Sequence, residues 1–224
     1  IYTPETRLVV LTGNAGDGKT AYIQRLESLA RDQGARFSEQ TDNGCTYKMD
    51  GIAYQTLYDG SQDFEGAKND QILKEFFFDL EGTAEPKGAF TKIIAINEGK
   101  LRDFILNKRE YSWLGRQVHH YFESDSFTPH KSLIFINLNL RSVVSENENE
   151  PSIFDLILDR FLDKEGSMGF WNACAPEHCS YANRCYIRYN IETLRHPDLG
   201  PIVRHRLKQL FYAVFFRKIR HITV

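Results

Sequence analysis

The chain has 224 residues, of which 42% are hydrophobic and 26% are charged. This composition can bury a sizeable core and excludes a chain that is mainly disordered. No apolar run approaches the roughly 20 residues needed to span a bilayer, and no secretory signal pattern opens the chain. The formal net charge of −2 excludes a protein that coats nucleic acid through an overall excess of Lys and Arg. We therefore expect a soluble, cytoplasmic protein.

Strands and helices alternate in the first part of the chain. Residues 7–12 form a short β-branched apolar run that is typical of a buried strand. A helical pattern of apolar residues follows from Lys19. Residues 46–58 predict strands around an Asp-Gly turn, and Asn69 is predicted to be the N-cap of the next helix.

Two further apolar runs, residues 92–97 and 133–138, predict buried parallel strands. A polar and aromatic stretch between them, residues 101–122, has the pattern of a helix. The last third of the chain predicts helices at 153–162 and 202–217. Between these two helices lies a stretch with three cysteines that we expect to be irregular.

This order of elements predicts an α/β fold. We expect a P-loop NTPase core, a three-layer sandwich with a mostly parallel sheet, over residues 1–149. A helical, cysteine-containing, basic extension is expected over residues 150–224. Residues 184–221 hold nine Lys or Arg against two acidic residues, a balance that suits a phosphate backbone or an acidic partner but is more often a solvated helix face. Because the chain begins without Met and ends on a strand-like run, we expect it to be part of a longer protein.

The pattern G-x-x-x-x-G-K-[ST] lies between the first predicted strand and the first predicted helix. Its residues are Gly13, Asn14, Ala15, Gly16, Asp17, Gly18, Lys19 and Thr20. Glycines let backbone N–H groups turn toward phosphates, and the helix that follows adds the positive end of its dipole. We expect Lys19 to reach the β- and γ-phosphates and the Thr20 hydroxyl to bind Mg²⁺. The pattern therefore predicts an ATP and Mg²⁺ site.

The catalytic partners of such a loop are expected at the ends of other strands. In many P-loop ATPases a buried strand ends in Asp-Glu, where Asp serves the metal and Glu activates water. Here the strand at 92–97 ends in Asn97 and is followed by Glu98, so Glu98 is predicted as the catalytic base and Asn97 as a neutral group on the metal side. A simple helix cap is the alternative. Asp59 is the other candidate for the metal, although the Gly-Ser after it favours an ordinary turn.

The strand at 133–138 has further amides at and just after its end. If this strand lies beside the strand at 7–12, Asn137 or Asn139 would lie near the γ-phosphate and could sense the state of the nucleotide. Arg141 could pair with phosphate or with a neighbouring subunit of a homo-oligomer. Structural caps are the alternative for all three residues.

The cysteines Cys174, Cys179 and Cys185 have the spacing C-x₄-C-x₅-C. Disulfides are not expected in a reducing cytosol, so the spacing suggests a structural zinc site or an iron–sulfur cluster. The fourth ligand stays open among His178, His196 and Cys45. The alternative is that these cysteines are small packing residues of a loop.

Four stretches carry a resemblance to a known family. They are residues 11–21, 95–99, 137–142 and the cysteine stretch that leads into Asn190. Together they resemble the DptF-type ATPase subunits of bacterial DNA phosphorothioation-dependent restriction systems. The resemblance implies an AAA+-like ATPase that works with other restriction-complex subunits in antiviral defence and engages DNA directly or through the complex.

Two other functions remain open at this point. A P-loop kinase for small molecules would use the basic segment as a closing lid. A non-hydrolysing nucleotide-binding switch would agree with the neutral Asn97 at a position where many ATPases have Asp.

Overall fold

The structure is a computed structural model of the chain. It describes residues 3–123, 130–146, 150–163, 171, 174 and 176–216. Predictions about residues 217–224, including the last part of the basic segment and the strand-like end, lie outside the described residues. The described part divides into two compact units, one that ends at Asn139 and one that begins at Leu140.

One six-stranded sheet forms the frame of the first unit. Its strands are β1 (Leu8–Thr12), β2 (Arg36–Thr41), β3 (Gly44–Met49), β4 (Ile52–Leu57), β5 (Phe90–Ala95) and β6 (Leu133–Asn137). They follow the order β2-β3-β4-β5-β1-β6. The strands β4, β5, β1 and β6 run parallel, whereas β2, β3 and β4 are joined in antiparallel pairs. The predicted α/β class with a mostly parallel sheet is confirmed at this level.

Helices pack on both faces of this sheet. They are α1 (Lys19–Asp32), α2 (Asn69–Phe77), α3 (Glu98–Leu106) and α4 (Ser112–Glu123). Because successive side chains of a strand point to opposite faces, Leu8 and Val10 of β1 pack with α2, α3 and α4, whereas Val9 and Leu11 pack with α1. All four side chains are fully buried. The arrangement is compatible with a three-layer α/β fold.

The antiparallel edge of the sheet contains the predicted Asp-Gly turn and one strand that the sequence did not predict. Asp50 and Gly51 have φ values of 51° and 79°, as a tight type I′ hairpin requires. The unexpected strand is β2, where only Phe37 is partly buried and stacks on Tyr47 at 4.8 Å between ring centroids. Its pairing with β3 shifts register between Phe37 and Glu39, which marks a β-bulge.

Asn69 is not the N-cap of α2, contrary to the prediction. Lys68 occupies the cap position, and Asn69 is the first helical residue and is buried. The Asn69 side-chain amide donates hydrogen bonds to the Gly60 and Gln62 carbonyls at 2.9 and 3.1 Å, so it packs inward against the loop after β4. The Asp63 carboxylate accepts the Asn69 N–H at 2.7 Å and supplies the oxygen that a cap would supply.

The helix predicted over residues 101–122 is two helices, α3 and α4. They are separated by the extended backbone of Lys108 and by a short 3₁₀ turn at Arg109–Tyr111. The break lets Tyr111 enter the core, where its side chain is fully buried.

The second unit contains three α-helices among its described residues. They are α5 (Ile153–Leu162), α6 (Tyr186–Arg195) and α7 (Leu199–Phe216). The prediction of α5 is confirmed, and α7 begins three residues before the predicted start. The irregular stretch is predicted over residues 172–189, and this prediction is wrong for its last four residues, which begin α6. The apolar pattern of α6 is weak because Ile191 is its one buried residue.

Among the helices that the structure describes, none is both long and apolar enough to cross a membrane.

Candidate functional site

Residues 13–20 form the loop that joins the carboxyl end of β1 to α1. Gly13, Gly16 and Gly18 have φ values of 155°, 86° and 83°, which L-residues rarely adopt. Gly13 also lacks space for a side chain, because an added Cβ would lie 2.7 Å from Asp17 Oδ2. The glycines of the motif are therefore required by the backbone path.

Two side chains hold the loop in this conformation. Asp17 Oδ2 accepts the Asn14 N–H at 2.6 Å, and Lys19 Nζ donates to the Gly13 and Asn14 carbonyls at 3.0 and 2.7 Å. Within the described part of the chain, six backbone N–H groups of the loop enter no hydrogen bond, namely those of Gly13, Ala15, Gly16, Gly18, Lys19 and Thr20. These N–H groups stay available to an anion at the N-terminal end of α1.

The loop faces the ends of β4 and β5 across a cleft of about 530 Å³. Outside residues 13–21, the cleft is lined by Tyr58, Asp59, Ser61, Gln62 and Asn97. Clefts of this size commonly hold small ligands. The parallel arrangement of β4, β5 and β1 brings these strand ends to one edge of the sheet, where ligands of α/β proteins usually bind.

Asp59 lies in this cleft close to Thr20. The Thr20 hydroxyl donates to the Tyr58 carbonyl at 3.3 Å, so it lies against the residue before Asp59. The expected turn is present, because Asp59 Oδ1 accepts the Ser61 N–H at 2.8 Å. Asn43 holds the Asp59 backbone, accepting its N–H at 2.9 Å and donating to its carbonyl at 3.3 Å. Among the described residues, Oδ2 of Asp59 has no hydrogen-bond partner.

Asn97 and Glu98 lie at the start of α3 and point in different directions. Asn97 is the N-cap, and its Oδ1 accepts the Gly99 N–H at 2.8 Å. The Asn97 N–H donates to Ser61 Oγ at 2.8 Å, which connects the ends of β5 and β4. Glu98 is the first helical residue, with its carboxylate 3.8 Å from Arg102, and it is not among the residues that line the cleft. The capping alternative therefore describes the geometry of Asn97.

The amides after β6 lie beside the loop. Because β6 pairs with β1, Asn137 is directly opposite Thr12, which meets the condition set for a nucleotide-sensing amide. Asn137 Oδ1 accepts the Asn139 N–H at 3.0 Å. The side-chain oxygens Oγ1 of Thr12 and Oδ1 of Asn139 are buried and have no hydrogen-bond partner. Unpaired buried oxygens at this edge suit a polar ligand or an ordered water.

A buried carboxylate that the sequence analysis missed connects α1 to the end of β4. Glu27 lies two turns after Thr20 in α1 and is only 5% exposed. Its Oε1 accepts the Thr56 hydroxyl at 2.7 Å, and its Oε2 accepts the Tyr58 hydroxyl at 2.6 Å. These bonds fix α1 against the strand that leads into Asp59. The available signal was a Glu within an otherwise apolar stripe of the helix.

Two groups near Glu27, the Tyr58 hydroxyl and the Cys45 thiol, have raised pKa values. Burial, together with the hydrogen bond to Glu27, raises the pKa of the Tyr58 hydroxyl well above its usual range. Burial likewise raises the pKa of the Cys45 thiol to about 12, and its Sγ lies 3.5 Å from Thr56 Oγ1. Both groups are therefore neutral at ordinary pH, and Arg31 is the nearby positive charge that acts on both of them.

The three cysteines of the second unit are free thiols of intermediate exposure. In the part of the chain that the structure describes, no group of three or more His, Cys, Asp or Glu side chains is arranged to hold a metal ion. The structural metal site at Cys174, Cys179 and Cys185 thus stays a prediction.

Comparisons with known proteins do not add to this geometry. No family model matches the chain, and neither a curated protein nor a solved structure matches it.

Proposed function

We propose that this chain is the ATP-binding and hydrolysing subunit of a bacterial DNA restriction complex, with a P-loop at residues 13–20. The observation that carries the nucleotide-binding part is the loop itself, which lines a cleft at the start of α1 and has six backbone N–H groups without a hydrogen bond among the described residues. The restriction complex, its other subunits and its DNA are supported by the sequence resemblance alone.

The donors at the loop suit a polyphosphate. The free amides of the loop and the positive end of α1 attract negative charge. Lys19, held by the carbonyls of Gly13 and Asn14, lies at the mouth of the same loop and adds a full positive charge. The oxygens Oγ1 of Thr12 and Oδ1 of Asn139, at the ends of β1 and β6, have no hydrogen-bond partner. They can therefore form hydrogen bonds with a ligand or with water bound to it.

Thr20 and Asp59 suit a Mg²⁺ ion at this cleft, because Mg²⁺ prefers hard oxygen ligands. When bound, such an ion would neutralise charge on the phosphates. Asp59 is a better metal-side group than Asn97 for two reasons. It carries a negative charge, and one of its oxygens is free of hydrogen bonds among the described residues, whereas Asn97 Oδ1 is already used to cap α3.

Glu98 is the part of the proposed site with the least geometric support. A catalytic base must come within hydrogen-bond reach of the water that it activates. The Glu98 carboxylate instead lies beside Arg102 at 3.8 Å and outside the cleft lining. For Glu98 to act as the base, its side chain has to leave Arg102 and turn toward the loop.

Titration with a fluorescent ATP analogue tests the binding proposal. Lys19→Ala should weaken binding in the presence of Mg²⁺ on the order of 100-fold, because a charge-assisted contact to phosphate is removed. Lys48→Ala, at an exposed position of β3, is the matched control and should bind like the unchanged chain. Equal affinity of the Lys19 variant would overturn the proposal.

A non-hydrolysing nucleotide switch is the second candidate. It is favoured by one observation, the position of Glu98 outside the cleft lining. The two candidates separate in an assay of phosphate release by the protein with its partner subunits and with phosphorothioated or unmodified DNA. Release above the Lys19→Ala background supports the ATPase, whereas tight binding with no release supports the switch.

A further inference from the structure

Three tyrosines of the second unit project into solvent within nine residues of each other. Tyr181, Tyr186 and Tyr189 are 72%, 85% and 71% exposed. Tyr186 and Tyr189 are three residues apart in α6, so they are neighbours on the helix surface. Tyr181 lies in the turn just before, where its carbonyl accepts the Arg184 N–H at 2.9 Å. Such a concentration of exposed rings is unusual for a surface that contacts only water.

Positive charge that is free of acidic partners lies in the same segment. Of the six described Lys and Arg from residue 184 onward, three are in ion pairs. These pairs are Arg195 with Glu192, Arg204 with Asp159, and Lys208 with Asp155 and Glu146. Arg184 and Arg188 form no ion pair with any described acidic residue, and the sequence has no Asp or Glu between residues 178 and 191. Of the three Arg side chains in the described part of this segment that form no ion pair, Arg184 and Arg188 therefore lie beside the tyrosines, and the third is Arg206 in α7.

We propose that the tyrosine surface, made of Tyr181, Arg184, Tyr186, Arg188 and Tyr189, binds single-stranded nucleic acid. Aromatic side chains stack on bases of any sequence, and neighbouring arginines pair with the phosphates. In a duplex the base faces are already stacked on each other, so these rings would find no partner there. A protein partner could also cover the tyrosines. Single-stranded nucleic acid matches the whole surface, because its flat bases suit the tyrosines and its regularly spaced phosphates suit the arginines. The proposal does not depend on nucleotide binding at residues 13–20.

Fluorescence anisotropy with a labelled oligothymidylate of about 15 nucleotides tests the stacking half. The full chain should bind this strand more tightly than a duplex of the same length. Tyr186→Ala should weaken binding at least about fivefold, because stacking on one aromatic ring is worth that much or more. Tyr186→Phe, which keeps the ring, should stay within about twofold of the unchanged chain. Phe78→Ala removes a ring that is 64% exposed in the first unit and should have no effect.

A salt series tests the phosphate half. Each lost phosphate contact should lower the slope of log affinity against log salt concentration by about 0.7. We expect this change for Arg184→Glu, and for Arg188→Gln, a milder change chosen because one guanidinium nitrogen of Arg188 is enclosed. Arg206→Glu is the control, since Arg206 lies in α7 and bonds to Gln209. Circular dichroism confirms that each variant is folded.

Three results would overturn the proposal. They are an absence of binding to the single strand at low salt, unchanged affinity in the Tyr186→Ala variant, and equal affinity for single strand and duplex. If the tyrosine variants instead abolish a self-association seen by sedimentation and leave the affinity for oligonucleotide unchanged, the surface binds protein and the proposal fails.

Discussion

The strands β4 and β5 lie side by side and end at the same cleft, yet their polar residues serve different purposes. After β4 the chain makes a turn, and the Asp59 carboxylate stays at the cleft beside Thr20. After β5 the chain enters α3 at once, and Glu98 is carried onto the helix surface next to Arg102.

The difference shows that a polar pair after a buried strand does not by itself identify a catalytic pair. The distance between the strand and the next helix decides where the side chain points. A turn keeps a carboxylate at the end of its strand, whereas the first turn of a helix rotates successive residues by about 100° each. Asp59 is in the first situation and Glu98 is in the second.

The strongest test of this comparison is Asp59→Asn. Loss of the carboxylate should reduce Mg²⁺-dependent phosphate release on the order of 100-fold, because the proposed metal-side group then has no negative charge. Asn97→Ala is the matched change at the end of β5 and should stay within about threefold in turnover while costing about 1 kcal/mol of stability through the lost helix cap. A larger loss of turnover in the Asn97 variant than in the Asp59 variant would reverse the assignment.

The connection between α1 and β4 is tested at Glu27. Glu27→Ala removes the acceptor of the buried Thr56 hydroxyl and of the half-buried Tyr58 hydroxyl, so the free energy of unfolding should fall by about 2–3 kcal/mol. Urea denaturation measures this change. Glu27→Gln keeps the shape and one acceptor oxygen and should lose less. Glu39→Ala, on the exposed edge strand β2, should change stability by under about 0.5 kcal/mol, and an equal loss in both alanine variants would show that Glu27 does not brace β4.

A smaller effect is expected for Glu98→Gln. The ion pair with Arg102 is exposed to solvent, with about a third of each side chain accessible, and such pairs contribute little to stability. Turnover should change by less than about threefold, well below the effect of Asp59→Asn. A loss comparable to that of Asp59→Asn, with nucleotide binding unchanged, would return Glu98 to the role of catalytic base.

Cys45 packs against Thr56 of β4 and is expected to be inert toward alkylating agents. With a thiol pKa of about 12, Cys45 is almost fully protonated at pH 8, and only the thiolate reacts with alkylating agents. Brief treatment with iodoacetamide followed by mass spectrometry should therefore find Cys45 unmodified in native buffer and modified in denaturant. Rapid modification at pH 8 would contradict the buried environment of this side of the sheet.

Local features of the fold could be predicted from the sequence, whereas tertiary ones could not. The strand β1, the start of α1 at Lys19 and the turn at Asp50 and Gly51 each depend on neighbours in the chain, so patterns of apolar residues and glycines reveal them. The strand β2 has almost no buried side chain and so has no apolar alternation to detect.

The same distinction holds for the candidate site. The loop at residues 13–20 is a continuous motif, and its position between β1 and α1 follows from the sequence. The contacts of Glu27 with Thr56 and Tyr58, and of Asn43 with Asp59, join residues that are 29, 31 and 16 positions apart. No pattern along the chain reports such contacts, which is why the choice between Asp59 and Asn97 needed the arrangement of strands.

The bulge in β2 has a consequence for how the sheet ends. An edge strand offers unpaired N–H and C=O groups on which another chain can add a strand and begin to aggregate. In β2 the register shift between Phe37 and Glu39 interrupts this regular row of groups. The exposed charges of Arg36 and Glu39 also oppose the pairing of a strand from another chain with β2. The exposed, polar side chains that leave β2 without an apolar alternation thus combine with the bulge to make it a poor template for misassembly.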